Sequence, residues 1–333
     1  CQIDHYESHN FRVCASQIFN FEREIIWSNE SSSGFKAQAN TWIRGHDTIF
    51  FFSKNGNPDF CKQHLPLADS TKKRYDKIDP VSGDKYKEYF EDDGTIRKVY
   101  LKDSKGKPLS TVWSDIISFQ TNNAAREHID FSTQKPTDLI QRVLKASNIS
   151  SNQNALDYFA GSGTTGHAVI NLNREDKGKR KYILIEMADY FDTVLKPRIA
   201  KVVYSDSWKD GKPTARNTGI SHCFRYLRLE SYEDALNNLI LKDRTKPQQN
   251  LLNENPALRE DYLLGYWLDV ETADSPSLLN IDQFEDPFNY RLNIAAGSVG
   301  AFKPTRVDLV ETFNYLIGLR VKHIDTFPGF KVV

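Results

Sequence analysis

Apolar and polar positions along the chain change period several times, and each change marks an element. Ile3 closes a short strand, and Phe11, Val13, Ile18 and Phe19 follow in an amphipathic helical stretch. Glu24-Ile25-Ile26-Trp27 and Thr48-Ile49-Phe50-Phe51-Phe52 are β-branched and aromatic runs that predict buried strands, separated by a Ser/Gly-rich loop over 28–40. From 55 to about 123 the texture changes. Lysines, aspartates and tyrosines dominate, glycines recur at 56, 83, 94 and 106, and strand character surfaces only briefly at 96–101. This stretch reads as an insertion outside a central sheet.

Regular alternation returns near residue 129. Pro136 opens a helix carrying Leu139, Ile140, Val143 and Leu144 on one face. A strand over 155–159, a glycine turn and a helix from Thr164 to about Asn173 follow. A charged loop over 174–180 then leads to a strand over 182–185 that ends on Glu186. A further helix is expected over 190–203, kinked at Pro197. The order strand–helix–strand–helix predicts an α/β fold with a doubly wound, Rossmann-like parallel sheet. Beyond Ser205 the pattern gives a linker, a strand over 224–229, a helix over 232–241 and a mixed tail, with no internal repeat. The expected divisions are 1–54, 55–128, 129–208 and 209–333.

Composition narrows this only a little. The 333 residues allow two or three domains, and 39% hydrophobic with 26% charged residues excludes wholesale disorder. Lys+Arg and Asp+Glu both number 44, so a nucleic-acid partner would need a local basic surface. The four cysteines have no metal-ligand spacing and fit reduced thiols in a cytoplasm. No apolar run reaches the ~18–20 residues of a membrane span. Cys1 at the start and the strand-like 330–333 at the end suggest a piece of a longer protein.

The chemistry concentrates in Asp157-Tyr158-Phe159-Ala160-Gly161-Ser162-Gly163-Thr164-Thr165-Gly166. A strand entering such a turn brings backbone close to a nucleotide-like ligand, because glycine lacks Cβ and tolerates positive φ. The spacing also satisfies G-x-G-x-x-G, so it does not by itself separate a dinucleotide from other ligands. Glu186, at the end of the next strand, stands where a carboxylate can accept both ribose hydroxyls. Asp157 discriminates. An acid four positions before the first glycine disfavours a pyrophosphate and suits a ligand bearing an ammonium and a sulfonium, such as S-adenosylmethionine; it serves equally as a loop anchor. Upstream, Thr133-Gln134-Lys135-Pro136 leads into a helix, and helix-terminal amides with a lysine make an anion site for a carboxylate.

Taken together, residues 131–136, 157–168, Leu172-Asn173-Arg174-Glu175 and residues 182–187 resemble the amino-methylating DNA methyltransferases of the permuted β group. The similarity is nearest to the modification subunits of type III restriction-modification systems. Ile3-Asp4 with Glu7, His9 and Asn10, then 46–54, 224–234 and 307–316 match other segments of that family. The resemblance implies S-adenosylmethionine across Phe159 to Thr165, with Lys135 and its neighbours at the methionine end and Glu186 at the ribose. It implies transfer to adenine N6, or by the same fold to cytosine N4, after extrusion of the base from double-stranded DNA. A dimer and a helicase-nuclease restriction subunit are implied partners.

The family's catalytic signature, an Asp, Asn or Ser followed by Pro-Pro and an aromatic, does not occur. Asp79-Pro80-Val81 and Asp286-Pro287-Phe288 lack the second proline. In the permuted order the signature precedes the region of Ile3-Asp4, so no catalytic residue is assigned within 1–333. A non-catalytic protein binding S-adenosylmethionine and DNA, and a dinucleotide-dependent oxidoreductase, are the competing readings. For DNA contact, Lys72-Lys73-Arg74, Lys85-Tyr86-Lys87, Arg97-Lys98 and 102–107 offer cations interleaved with tyrosines, but acids are nearly as frequent there. Trp42, Arg44 and His46 stand near a sheet end, where packing is expected for Trp42.

Overall fold

A computed structural model describes residues 2–3, 5–28, 42–119, 131–209, 212–229, 286–296, 301–319 and 325–332 with few breaks, together with isolated positions between them. The chain divides into two units, 1–223 and 224–333.

The first unit opens with β1 (Gln2–Ile3), α1 (His5–Ser16), β2 (Asn20–Ser28) and β3 (His46–Ser53). Next come β4 (His64–Leu65), α2 (Asp69–Lys72), β5 (Lys77–Ile78), β6 (Lys85–Phe90), β7 (Ile96–Tyr100), β8 (Lys107–Pro108) and β9 (Val112–Trp113). β1, β3, β2 and β9 form one sheet in that order; β1 and β2 run antiparallel to β3, and β9 is parallel to β2. The aromatic run of β3 buries Phe50, and the adjoining core gathers Trp27, Ile49, Trp113, Ile116 and Leu139. Trp27 sits in it without an orphaned donor, because its indole N–H reaches the Ile116 carbonyl at 2.8 Å.

The insertion is more ordered than its composition suggests. β5, β6 and β7 make an antiparallel sheet around Asp79. Its carboxylate accepts the Val81 and Ser82 amides at 2.9 and 3.2 Å, the Tyr100 hydroxyl at 2.7 Å and the Lys98 ammonium at 3.0 Å. These donors, Tyr100 first, hold it well below the usual carboxylate range.

The α/β segment comprises α3 (Thr137–Ala146), β10 (Asn154–Asp157), α4 (Thr164–Asp176), β11 (Lys181–Leu184), a π-helical turn (Phe191–Leu195), α5 (Lys196–Tyr204), β12 (Trp208–Lys209) and β13 (Lys212–Pro213). β10 and β11 pair in parallel, with α4 as their crossover and Asp157 opposite Leu184. Ala160, Ile170, Leu195, Ile199 and Val202 form the core beneath. Several boundaries move from the sequence expectation. β10 stops at Asp157 because its side chain captures the Phe159 amide, which turns the chain early. α4 runs three residues past Asn173 and ends on Lys177 in the left-handed region at φ 56°. Pro197 lies within the expected helical run, in the first turn of α5 and just after a π turn, where its missing N–H costs least.

In the second unit, β14 (Arg291–Ala295) and β15 (Phe302–Arg306) form a hairpin, followed by α6 (Leu309–Leu316), β16 (Asp325–Phe327) and β17 (Phe330–Val332). Tyr290, Leu292 and Leu309 are its buried cluster. Residues 224–229 form no strand. The helix expected over 232–241 lies outside the described residues except at 234 and 238. No described helix is long and apolar enough to cross a membrane.

Candidate cofactor site

The ends of β10 and β11, the turn between β10 and α4, and the segment entering α3 converge. Two backbone bonds carry the parallel ladder past the strand ends: Ile185 N–H to the Asp157 carbonyl at 2.9 Å, and Ala160 N–H to the Ile185 carbonyl at 3.1 Å. Glu186 is thereby fixed beside the turn. One carboxylate oxygen accepts the Gly161 amide at 2.9 Å, and the other accepts the Met187 and Ala188 amides at 3.0 and 3.2 Å.

The turn is held from inside. Asp157 accepts the Phe159 amide at 3.1 Å and the Thr165 hydroxyl at 2.6 Å, so it anchors the loop in this arrangement. Gly161 and Gly163 stand at φ 53° and 82°, conformations that L side chains rarely adopt. Gly166 has a different reason. A Cβ there would lie 2.7 Å from Ile199 Cδ1 and 2.9 Å from Leu184 Cδ1, so it lets α4 approach α5 and β11. A Cβ at Gly161 would meet Phe131 Cε1 at 3.8 Å, an ordinary contact, so its backbone conformation rather than crowding selects glycine there.

The upstream tetrapeptide adds one wall. The Lys135 carbonyl accepts the Thr164 hydroxyl at 3.2 Å, tying it to the turn. The Lys135 ammonium lies 3.5 Å from an Asp47 oxygen and 5.7 Å from the Trp27 ring centre. Gln134 is buried, with its carbonyl oxygen on the Ile129 amide at 2.8 Å. Pro136 caps α3 in extended conformation rather than entering its first turn, and Thr133 is exposed and makes no cap. Pro136 is itself extended, at ψ 139°, so the helix begins at Thr137.

Phe159, expected at the cofactor, carries an 87% exposed side chain at the turn; several other participants escaped the sequence reading, among them Met187, 97% exposed. Phe131 packs edge-on against Tyr190 at 5.0 Å. Beneath the turn, buried Arg198 donates to Ser162 and Thr164, and its other terminal nitrogen stands 3.2 Å from Nδ1 of buried His167. Burial, and then the charges of Arg198 and Arg174, push the His167 pKa down to about 3, so the imidazole is neutral. Met187 alone had a sequence signal, as an apolar residue directly after the strand-end acid.

Trp42 corrects an expectation: it is 98% exposed, not packed. The insertion's cations are largely spoken for. Lys72 pairs with Asp69, Lys77 with Glu88, Arg97 with Glu91, Lys98 with Asp79 and Lys102 with Asp84. Asp79 and Asp286 each hold their own turns, the latter through the Phe288 amide at 3.1 Å. Among the described residues, no group of His, Cys, Asp or Glu could hold a metal ion.

A family model described as a DNA methylase, acting at N6 or N4, matches residues 1–196. The chain is 41% identical over 105 residues to the Mod subunit of the type III restriction-modification enzyme StyLTI of Salmonella typhimurium, covering 29% of this chain and 16% of that protein. It is 31% identical over 166 residues to the probable HindVI Mod subunit of Haemophilus influenzae, covering 49% and 20%. The chain thus spans about a fifth or less of these relatives' length. Among solved structures, a complex of M1.HpyAVI with SAM aligns over 60% of this chain and 72% of that one, at 16% identity and a TM-score of 0.37.

Proposed function

Because the chain belongs to the N6/N4 DNA methylase family, we propose that it is the cofactor-binding and target-recognition part of a modification enzyme that methylates adenine N6 in duplex DNA. The observation that carries this reading is the strand-end Glu186 carboxylate bonded to the Gly161 amide of a glycine turn whose Gly161 and Gly163 stand at positive φ.

S-adenosylmethionine fits the residues present. Three of the roughly four acceptor sites of Glu186 are taken by the Gly161, Met187 and Ala188 amides, which leaves at most one for a ribose hydroxyl. Phe159 and Met187 offer exposed apolar surface for the two faces of an adenine. Lys135, with the first amides of α3, favours the methionine carboxylate. Asp157, 135–136 and 163–165 frame the amino-acid end, with Thr133 and Gln134 behind. When bound, the cofactor supplies a sulfonium-activated methyl group to a nucleophilic amine. The protein's part is alignment and exclusion of water.

A base inside a duplex cannot reach such a site, so the target nucleotide is extruded. Residues 55–128 then carry target choice, with 1–54 completing the catalytic sheet and 129–208 holding the cofactor. The paired cations of β5–β7 leave Lys73, Arg74, Lys85 and 105–107 as the phosphate contacts of this reading. The acceptors for the target amine come from outside residues 1–333, where the relatives also extend, and a dimer with a restriction subunit follows the type III pattern. Cytosine N4 is the alternative target, because the same turn serves either amine.

Calorimetry with S-adenosylmethionine and with NAD tests the cofactor: binding of the first alone is expected, and binding of NAD alone overturns the reading. Methylation of adenine in duplex DNA by the full-length enzyme tests the reaction. Methylated cytosine, or none, overturns the N6 assignment.

A further inference from the structure

We propose that Arg198 is a positioning residue that joins the two walls of the cofactor site and sets their spacing at the methionine end; this role rests on the S-adenosylmethionine reading above. Arg198 projects from α5 beneath the turn and is 4% exposed. Its Nη1 donates to the Ser162 carbonyl at 3.2 Å, the Ser162 hydroxyl at 2.8 Å and the Thr164 hydroxyl at 3.0 Å. Two hydrogens serve three acceptors, so the turn's backbone and both hydroxyls share one donor group. The Thr164 hydroxyl accepts from Arg198 and passes its own hydrogen to the Lys135 carbonyl at 3.2 Å. Nη2 lies 3.2 Å from His167 Nδ1, which accepts because the ring is neutral, and the Thr137 hydroxyl is 3.5 Å from the same nitrogen.

One side chain is therefore bonded to the glycine turn, to the first turn of α4 and, through a single hydroxyl, to the segment that enters α3. Burying a guanidinium carries a desolvation cost that an apolar residue of similar size avoids. What it provides is a planar fork of fixed donors, which a lysine with three hydrogens on one atom does not reproduce. Its charge also sits under the amino-terminal end of α4, adding to the potential that favours a carboxylate there. The adenosine end of that reading, by contrast, rests on Glu186, which accepts the Gly161, Met187 and Ala188 amides.

This separation defines the test. The 333-residue chain and its R198K and R198M variants are titrated calorimetrically with S-adenosylmethionine and with 5′-methylthioadenosine, which lacks the amino-acid end, and their melting is recorded. R198M is expected to weaken S-adenosylmethionine by about ten-fold or more and methylthioadenosine by less than about two-fold, with R198K between. R198K carries the same comparison if R198M does not fold. Equal weakening of both ligands, or no weakening of either, overturns the positioning role. If the unsubstituted chain binds neither ligand, the cofactor reading itself fails and this role with it.

Discussion

The Glu186 carboxylate accepts the Gly161 amide at 2.9 Å across 25 positions of sequence. A strand-end acid thus supports the turn, and in the proposed reading it also binds the cofactor ribose. The two duties separate on substitution. Glu186→Ala is expected to weaken S-adenosylmethionine by about 10- to 100-fold, since bonds to a charged group are worth about 1.5–3 kcal/mol each. Its affinity for the 2′-deoxy cofactor should fall much less, so that the two ligands become nearly equivalent. Calorimetry reads both. An unchanged ratio between the ligands would mean that Glu186 supports the loop alone.

Asp157 makes the complementary case. Its oxygens already hold the Phe159 amide and the Thr165 hydroxyl. Asp157→Ala removes both and should destabilise the first unit by about 1–3 kcal/mol, with Asp157→Asn recovering part through its remaining acceptor. Urea unfolding followed by tryptophan fluorescence measures it. Lost binding without lost stability would assign Asp157 to the ligand's ammonium rather than to the turn.

The glycines separate strain from crowding. Gly163→Ala forces a side chain into φ 82°, at about 1–2 kcal/mol, and also presses its methyl to 3.2 Å from Leu195 Cγ. Gly166→Ala is unstrained in φ but drives a methyl to within 3 Å of Ile199 and Leu184, at about 1–3 kcal/mol. Ile199→Ala should relieve the second and not the first. A double-mutant cycle on melting temperature checks this, and additivity at Gly166 would count against the packing account.

These contrasts also show what the chain's pattern reveals. β2, β3 and β11 announce themselves because each carries a β-branched or aromatic run, and β10 through its place directly before the glycine turn. The turn is visible because positive φ selects glycine. Of the β5–β7 sheet only β7 shows, at 96–101; β5 and β6 are hidden, since β6 alternates Lys, Glu and Tyr and leans on polar and cation–π contacts. Lys98 over Tyr86 and Arg97 over Tyr89 leave no hydrophobic period to detect. Arg198 is hidden for a related reason. Within Lys196-Pro197-Arg198-Ile199 it reads as surface charge, and only the tertiary fold turns it beneath Ser162. Trp42 errs in the other direction, because an aromatic beside a strand is ordinarily packed and this one faces solvent.

His167 makes the stability of the first unit depend on pH. Its folded pKa lies near 3, depressed by burial and then by Arg198 and Arg174, against 6.5 as its ordinary value. Between those values the unfolded chain binds a proton that the native chain does not, so stability falls as pH drops below about 6.5 and is level above it. His222, lowered by burial, acts in the same direction. Asp115 and Asp176, held low by Arg142 and Arg180, lose their contribution only at more acid pH. The interval from pH 7 to 5 therefore isolates the histidines. Over it, His167 alone should remove about 2 kcal/mol. His167→Asn keeps an acceptor near the Nδ1 position without titrating, and should flatten the profile by that amount. Unfolding titrations of both proteins at pH 7 and 5 decide the matter, and an equal loss in the two would show that burial and the neighbouring arginines do not keep the imidazole neutral.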